Sequence, residues 1–343
     1  MKKISILLLS LLVFAACKNK KNIPDVSDIN VQLKWERFDH DFFALDTNDL
    51  SNSLNKLQEK NPLITTLFLQ NVLGLDSAQY LAGTKRFLQT SRQLEDTVNI
   101  VFKNTHPIEK EFTRAFQFIK YYFPQYKVPK IVTIVGPVDA LAQSESGPTP
   151  DFIRPGILGI SLQFYLGKNF SVYSFPFYIE NVAPRYRSVR FSKEYIVADA
   201  MKLIIPDIFP DKSAGKPLIE QMVEKGKQWY LLDKILPNTA DSVKTGYTQQ
   251  QLDWCHENEG MIWTYIVKNE NLQSLSPAVI QNYIGEGPFT PGFPPDYSPG
   301  NIGQWIGWQF IKKYVEKNPD IKLDVLMNTD AATIIREAKY KPK

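Results

Sequence analysis

The sequence predicts an α+β fold, predominantly helical with a small β-sheet, on three observations. Long stretches carry apolar residues at helical spacing; in Ile108 to Phe123, for example, Phe112, Ala115, Phe116 and Ile119 share one face. A β-branched run, Lys130 to Val135, ends at Gly136-Pro137 and reads as a strand, and Gly156 to Phe164 is a second candidate. No repeat, low-complexity tract or convincing linker divides the chain, so residues 25–343 read as a single domain.

Composition narrows the class. With 43% hydrophobic and 22% charged residues among 343, the chain is neither disordered nor collagen-like, and no apolar run approaches the ~20 residues that span a bilayer. The formal charge of +4 is misleading. Lys2, Lys3, Lys18, Lys20 and Lys21 all precede the first acidic residue, Asp25, which leaves 35 basic against 36 acidic residues in the body. A body of about −1 gives no reason to expect nucleic acid as a partner.

Residues 1–16 read as a signal peptide. Lys2-Lys3 is a charged start, Ile4 to Phe14 is an apolar run too short to span a membrane, and Phe14-Ala15-Ala16-Cys17 places small residues before a thiol. The pattern resembles a bacterial lipobox with Phe14 in place of the more usual Leu. Cys17 is therefore the expected lipid attachment site, carrying diacylglycerol and a further palmitate-type chain, because multiple chains hold a membrane where one grips marginally. Residues 17–24 form a polar, aperiodic tether. They lack the acidic cluster of surface-export signals, which favours an envelope protein facing the periplasm. With Cys17 acylated, Cys255 has no partner for an intramolecular disulfide.

From Trp35 to Phe123 the pattern is mostly helical, with stops at Asn61-Pro62, Gly74, Gly83 and His106-Pro107. Between the two strands lies a loop rich in Ser, Pro and Gly, in which Ser144 to Gly147 reads as a flexible polar turn. Further helices are expected near Lys193–Leu203, Pro217–Leu236, Thr248–Val267 and Ile302–Lys317, then around Lys322–Met327 and Ala331–Ala338. Gly287 to Pro295 holds too many prolines to donate backbone hydrogen bonds regularly.

Chemistry is harder to find. The three histidines, His40, His106 and His256, lie far apart; His40 sits among charges at an apparently solvated helix start, and His106 before Pro107 reads as a turn residue. His256-Glu257 opens like the zinc-protease signature HExxH, but Gly260 stands where the second histidine must be. In the same segment Thr248 and Gln251 make a capping box, and Leu252, Cys255, Ile262, Trp263 and Ile266 fall on one helical face with Glu259 at its middle. That carboxylate is either a buried group bonded to Tyr, Trp, Arg or backbone, or a cleft carboxylate. Cys255 reads as a packed thiol. A nucleophile elbow, a phosphate loop and a dinucleotide fingerprint are all absent. In Ile302 to Phe310, Gly303 and Gly307 allow a close backbone approach beside Trp305 and Trp308. This is either tight helix packing or a groove in which the indoles and the preceding Pro-rich loop bind a partner.

Several long strings carry a family resemblance: Arg37-Phe38-Asp39-His40-Asp41-Phe42-Phe43, Ser161 to Gly167, Gly246 to Trp263, and Pro288 to Tyr314 with Ser298-Pro299-Gly300 and Trp305-Ile306-Gly307-Trp308 inside it. In these the chain resembles the GldB-type gliding-motility lipoproteins of the Bacteroidetes over nearly its whole mature length. The resemblance implies a membrane-anchored, noncatalytic component of the gliding machinery, with other envelope proteins of that machinery as partners. That family is in turn distantly similar to zinc metalloproteases, which implies a degenerate zincin-like scaffold. The counterpart of HExxH is then Lys193-Glu194-Tyr195-Ile196-Val197, in which neither end can replace imidazole. The expected assignments are no catalytic residue, no metal and no cofactor, with Glu194, His256, Glu259, Trp305 and Trp308 as cleft or interaction residues. The alternative is a divergent peptidase-like envelope hydrolase using Glu194 or Glu259. A lipid carrier, which needs a large apolar cavity, is a third class.

Overall fold

A computed structural model describes residues 23–144 and 147–342, so the leader and Cys17 lie outside the described residues. The chain enters through β1 (Trp35–Arg37) and α1 (Phe38–Phe43), followed by α2 (Leu50–Lys60), α3 (Pro62–Leu67), α4 (Tyr80–Thr90), α5 (Arg92–Val101) and α6 (His106–Tyr122). The strands β2 (Lys130–Ile134), β3 (Ala142–Ser144), β4 (Gly147–Thr149), β5 (Phe152–Arg154) and β6 (Ile157–Ser161) come next. They build a mixed sheet in the order β1-β2-β6-β5 and a separate β3-β4 pair. β1, β2 and β6 run parallel, with Trp35 opposite Ile131 and Lys130 opposite Ile157, while β5 closes the edge antiparallel. The central strands are buried almost throughout, which is why they read as continuous apolar runs without alternation. Gly159 on β6 leaves room for the Phe152 ring, whose Cζ would stand 2.1 Å from a Cβ there.

Helices complete the chain: α7 (Pro176–Asn181), α8 (Arg185–Ser188), α9 (Ile196–Ile208), α10 (Leu218–Ile235), α11 (Asp241–Thr245), α12 (Gln249–Glu257), α13 (Glu259–Asn269), α14 (Pro277–Tyr283), α15 (Ile302–Lys317), α16 (Leu323–Asn328) and α17 (Ala331–Ala338). Helices hold 57% of the described residues, so the α+β, helix-dominated class stands. One apolar cluster fills the space between the sheet, α1 to α6 and α9; a second lies among α10, α12, α13, α15 and α17. The long helix α10 belongs to both, giving Leu231, Leu232 and Ile235 to the first and Leu218, Met222 and Val223 to the second.

Local expectations fare unevenly. Most helices fall where the spacing puts them, and the Thr248–Gln251 capping box forms, with Gln251 N–H donating to Thr248 Oγ1 at 3.1 Å and Thr248 N–H to Gln251 Oε1 at 2.9 Å. Four readings need correction. Trp35 to Arg37 is a strand, because three residues at a sheet edge are too few to show a period. Gly83 does not stop α4; it clears space for Leu75, whose Cδ2 would lie 2.4 Å from a Cβ at that position. The helix expected over Thr248–Val267 breaks at Asn258, whose backbone leaves helical geometry and whose Nδ2 bonds the Trp254 carbonyl at 2.9 Å. Ser144 and Gly147 end a pair of short strands where a loose turn was expected, Glu145 and Ser146 between them lying outside the described residues.

Candidate functional site

The segment that the resemblance sets against a zinc-protease helix start, Lys193 to Tyr195, is a single tight turn leading into α9. Lys193 is exposed and holds its ammonium 5.4 Å from the Phe102 ring centre, Glu194 is exposed, and Val197 is buried in the core. An ammonium and an isopropyl group offer no lone pair to a metal. Among the described residues no group of three or more His, Cys, Asp or Glu side chains could hold a metal ion. The residues present do not fit a catalytic zinc, and no hydrolytic step follows from them.

Around this turn, carboxyl groups are tied into the structure instead. In Arg37-Phe38-Asp39 the Asp39 carboxylate is buried, so the helix start is not solvated at that point as its charges suggest. Arg37 donates from Nε to Oδ1 at 3.0 Å and from Nη2 to Oδ2 at 2.5 Å, and Thr133 Oγ1 donates to Oδ1 at 2.5 Å. This clamp joins β1, α1 and β2. Asp151, just before β5, is fully enclosed; it accepts from Tyr165 OH at 2.6 Å and from the Ser161 N–H at 3.0 Å. Burial outweighs both bonds and pushes its carboxyl up to about 8. The third tie spans the two clusters. Glu286, after α14, pairs with Arg187 Nε at 3.0 Å and with Arg190, both from the α8 segment. Burial alone would raise the Glu286 carboxyl, but the two guanidiniums prevail and hold it below its ordinary range. Arg190 passes so close to Gly246 that a Cβ there would stand 2.1 Å from Nη1, and Gly246 also has φ +77°.

The two most distinctive strings of the sequence turn out to be one packed unit. Tyr247 OH donates to the Gly300 carbonyl at 3.0 Å and to Asn301 Oδ1 at 2.8 Å, and Gln251 Nε2 donates to the Ser298 carbonyl at 3.3 Å. Thr290 Oγ1 donates to the Pro299 carbonyl at 2.8 Å, so the Pro-rich loop is irregular yet pinned. Trp254 meets Phe293, His256 meets Trp305, and Trp263 meets Phe310, each edge to face at 5.3–6.0 Å between ring centres.

Within that unit the remaining candidates separate. Trp305 and Trp308 are 0% and 2% exposed, so they are packing residues and do not form an aromatic surface. Gly307 makes this possible: a Cβ there would lie 1.6 Å from the Met222 carbonyl oxygen, and one at Gly226 would lie 2.1 Å from the Gly307 carbonyl carbon. His256 is exposed against the Trp305 edge; partial burial and then Lys312 hold its imidazole below the ordinary value. Glu259 is half-buried at the first position of α13, where Tyr340 OH donates to Oε1 at 2.6 Å. Burial pushes the Cys255 thiol well up, which makes it a poor nucleophile. Nearby, Ile219, Trp263, Phe310, Ile335 and Tyr340 line a hollow of about 490 Å³.

The structure thus brings His256 and Trp305 together, joins Glu259 to a residue the sequence did not suggest, and leaves Glu194 apart. Sequence reasoning missed Asp151, Arg187, Arg190 and Glu286. Their partners lie between 10 and about 100 residues away, with no local spacing to flag them. No curated protein and no solved structure gives a significant match. A family model described as gliding motility protein GldB, in contrast, matches residues 19–342, essentially the whole body just described, and the chain belongs to that gliding-motility family.

Proposed function

We propose that the protein is an envelope lipoprotein of the gliding machinery, anchored to a membrane through acylated Cys17, facing the periplasm, and acting by binding other envelope proteins rather than by catalysis. The observation that carries this reading is the family match over residues 19–342, which starts two residues after the lipobox-like Phe14-Ala15-Ala16-Cys17. The noncatalytic part is supported by Lys193 and Val197, which stand where the distant resemblance to zinc proteases would set histidine ligands. It is supported also by the polar ties of Asp39, Asp151 and Glu286, which commit those groups to structure. No helix of the described residues is long and apolar enough to cross a membrane.

The test is Cys17→Ser. The expected variant is folded, shows the circular dichroism of the wild type, and leaves the membrane fraction; a variant that still fractionates with membranes refutes the anchor. Metal analysis of protein purified without chelator checks the other half. Less than a tenth of an equivalent of zinc is expected, and stoichiometric zinc would overturn the noncatalytic reading.

A further inference from the structure

Among the described residues, the segment from Lys168 to Arg190 contains the most exposed pair of neighbouring phenylalanines. Phe175 is 54% and Phe177 is 70% exposed, flanking Pro176 at the start of α7, with Val189 exposed in the same segment. The tip is not loose. Pro176 fixes its own φ, and Tyr178, next in sequence, is buried with Tyr173 against the first cluster. Two phenyl rings held in water on a braced turn are costly for a chain that buries most of its other phenylalanines.

The surrounding charge identifies what covers them. Within the segment Lys168, Arg185, Arg187 and Arg190 stand against Glu180, and with Glu286, which pairs two of these arginines, the local balance is +2 in a slightly acidic body. Arg187 and Arg190 are spent on Glu286, but Arg185 and Lys168 face water. Arg185 donates from Nη1 to Ser174 Oγ at 3.1 Å, so its guanidinium stands directly beside the phenyl tip. Apolar rings without a polar handle, with an unpaired guanidinium beside them, match the boundary between acyl chains and anionic headgroups. We propose that Phe175 and Phe177 insert into the interface of an anionic bilayer, with Arg185 and Lys168 on its phosphates. The anchored body is thereby held in one orientation. The proposal rests on the lipoprotein reading and gives the tethered body a second foot on the same membrane.

The test uses the mature acylated chain reconstituted into vesicles of phosphatidylcholine alone or with added phosphatidylglycerol. Phe177→Cys is labelled with nitrobenzoxadiazole, which brightens and shifts to the blue out of water; Cys255 is buried and an acylated Cys17 does not react. The control is Val325→Cys, 52% exposed on α16. Its helix meets the C-terminal end of α9 through Met327 and Asn328, whereas the wedge segment leads into the N-terminal end of α9. A several-fold rise in emission at 177 on anionic vesicles is expected, smaller on neutral ones and reduced by Arg185→Glu, with no rise at 325. No rise at 177 on anionic vesicles, or an equal rise at 325, overturns the proposal. Labelling of the wild-type chain would reveal an unacylated Cys17, so failure of the anchor is read separately from failure of the wedge.

Discussion

The two apolar clusters are closed by different means. Around the sheet, Phe38, Phe42, Phe68 and Phe87 meet ring to ring, with centres 4.6–6.2 Å apart, and they come from α1, the turn after α3, and α4. In the helical half, which holds five of the six tryptophans, α10 and α15 touch backbone to backbone at Gly226 and Gly307, and the indoles pack around that crossing. Side chains that mesh can turn to a neighbouring rotamer when one is altered; two helix backbones in contact have nothing to turn. The halves should therefore respond differently to the same kind of change.

Gly307→Val is the strongest way to break this comparison. Its Cβ would meet the Met222 carbonyl oxygen, so α10 and α15 must part along the crossing that builds the second cluster. A loss of about 4 kcal/mol or more is expected, beyond ordinary overpacking because the obstacle is backbone. The denaturation midpoint measures it. A variant within about 1 kcal/mol of wild type would show that the crossing yields after all.

Asp151→Asn sharpens the comparison from the sheet side, where a buried charge site replaces a backbone contact. The Asp151 carboxyl titrates near 8 when folded against an ordinary value of 3.8. Between those pH values the folded chain keeps a proton that the unfolded chain has released. Stability from this site is full below about pH 4 and is lost as pH rises towards 8. Asparagine removes that titration and can still accept the Ser161 N–H. The slope of unfolding free energy against pH over that window should flatten by about one proton, or about 1.4 kcal/mol per pH unit. An unchanged slope would mean that Asp151 is already ionised in the folded chain.

How much was legible follows from the same contrast. Backbone contact leaves a trace in sequence, because only glycine permits it; Gly303 and Gly307 announced the crossing before its partner Gly226 was known. Capping is equally local, and Thr248 with Gln251 gave the start of α12. A three-residue strand such as β1 leaves no such trace, since its identity comes from pairing with β2 about 95 residues later. The break at Asn258 was hidden for a related reason. The apolar period continues across it, so Leu252, Cys255, Ile262 and Ile266 are buried as expected although two helices bear them. Glu259 takes a hydrogen bond from Tyr340, 81 residues on, a partner that no local spacing names. Trp305 and Trp308 stand out in the sequence, but they are buried beside the glycine crossing and not on a surface.

Tyr340→Phe probes the edge of the helical half, where side chains resume the work of closure. It removes the hydroxyl that donates to Glu259 while leaving the ring against Phe310 and Trp263, at 4.4 and 5.5 Å. Because Glu259 is only half-buried, water can replace the lost donor, and a cost of about 1 kcal/mol is expected by urea denaturation. A loss above about 3 kcal/mol would make this pair as indispensable as the crossing itself.

Gly83→Ala is the smallest change and the most discriminating partner of Gly307→Val, because both add a Cβ to a helical glycine. At Gly83 the obstruction is the Leu75 Cδ2 at 2.4 Å, the far end of a half-buried side chain. Rotating that leucine costs packing on the rim of the first cluster, whereas alanine in the interior of α4 gains about 1 kcal/mol of helix propensity. The two effects oppose each other, and the variant should unfold within about 1 kcal/mol of wild type. If it instead loses as much as Gly307→Val, Leu75 has no alternative rotamer, the sheet half is as rigid at its rim as the helical half is at its crossing, and the distinction between the two regions fails.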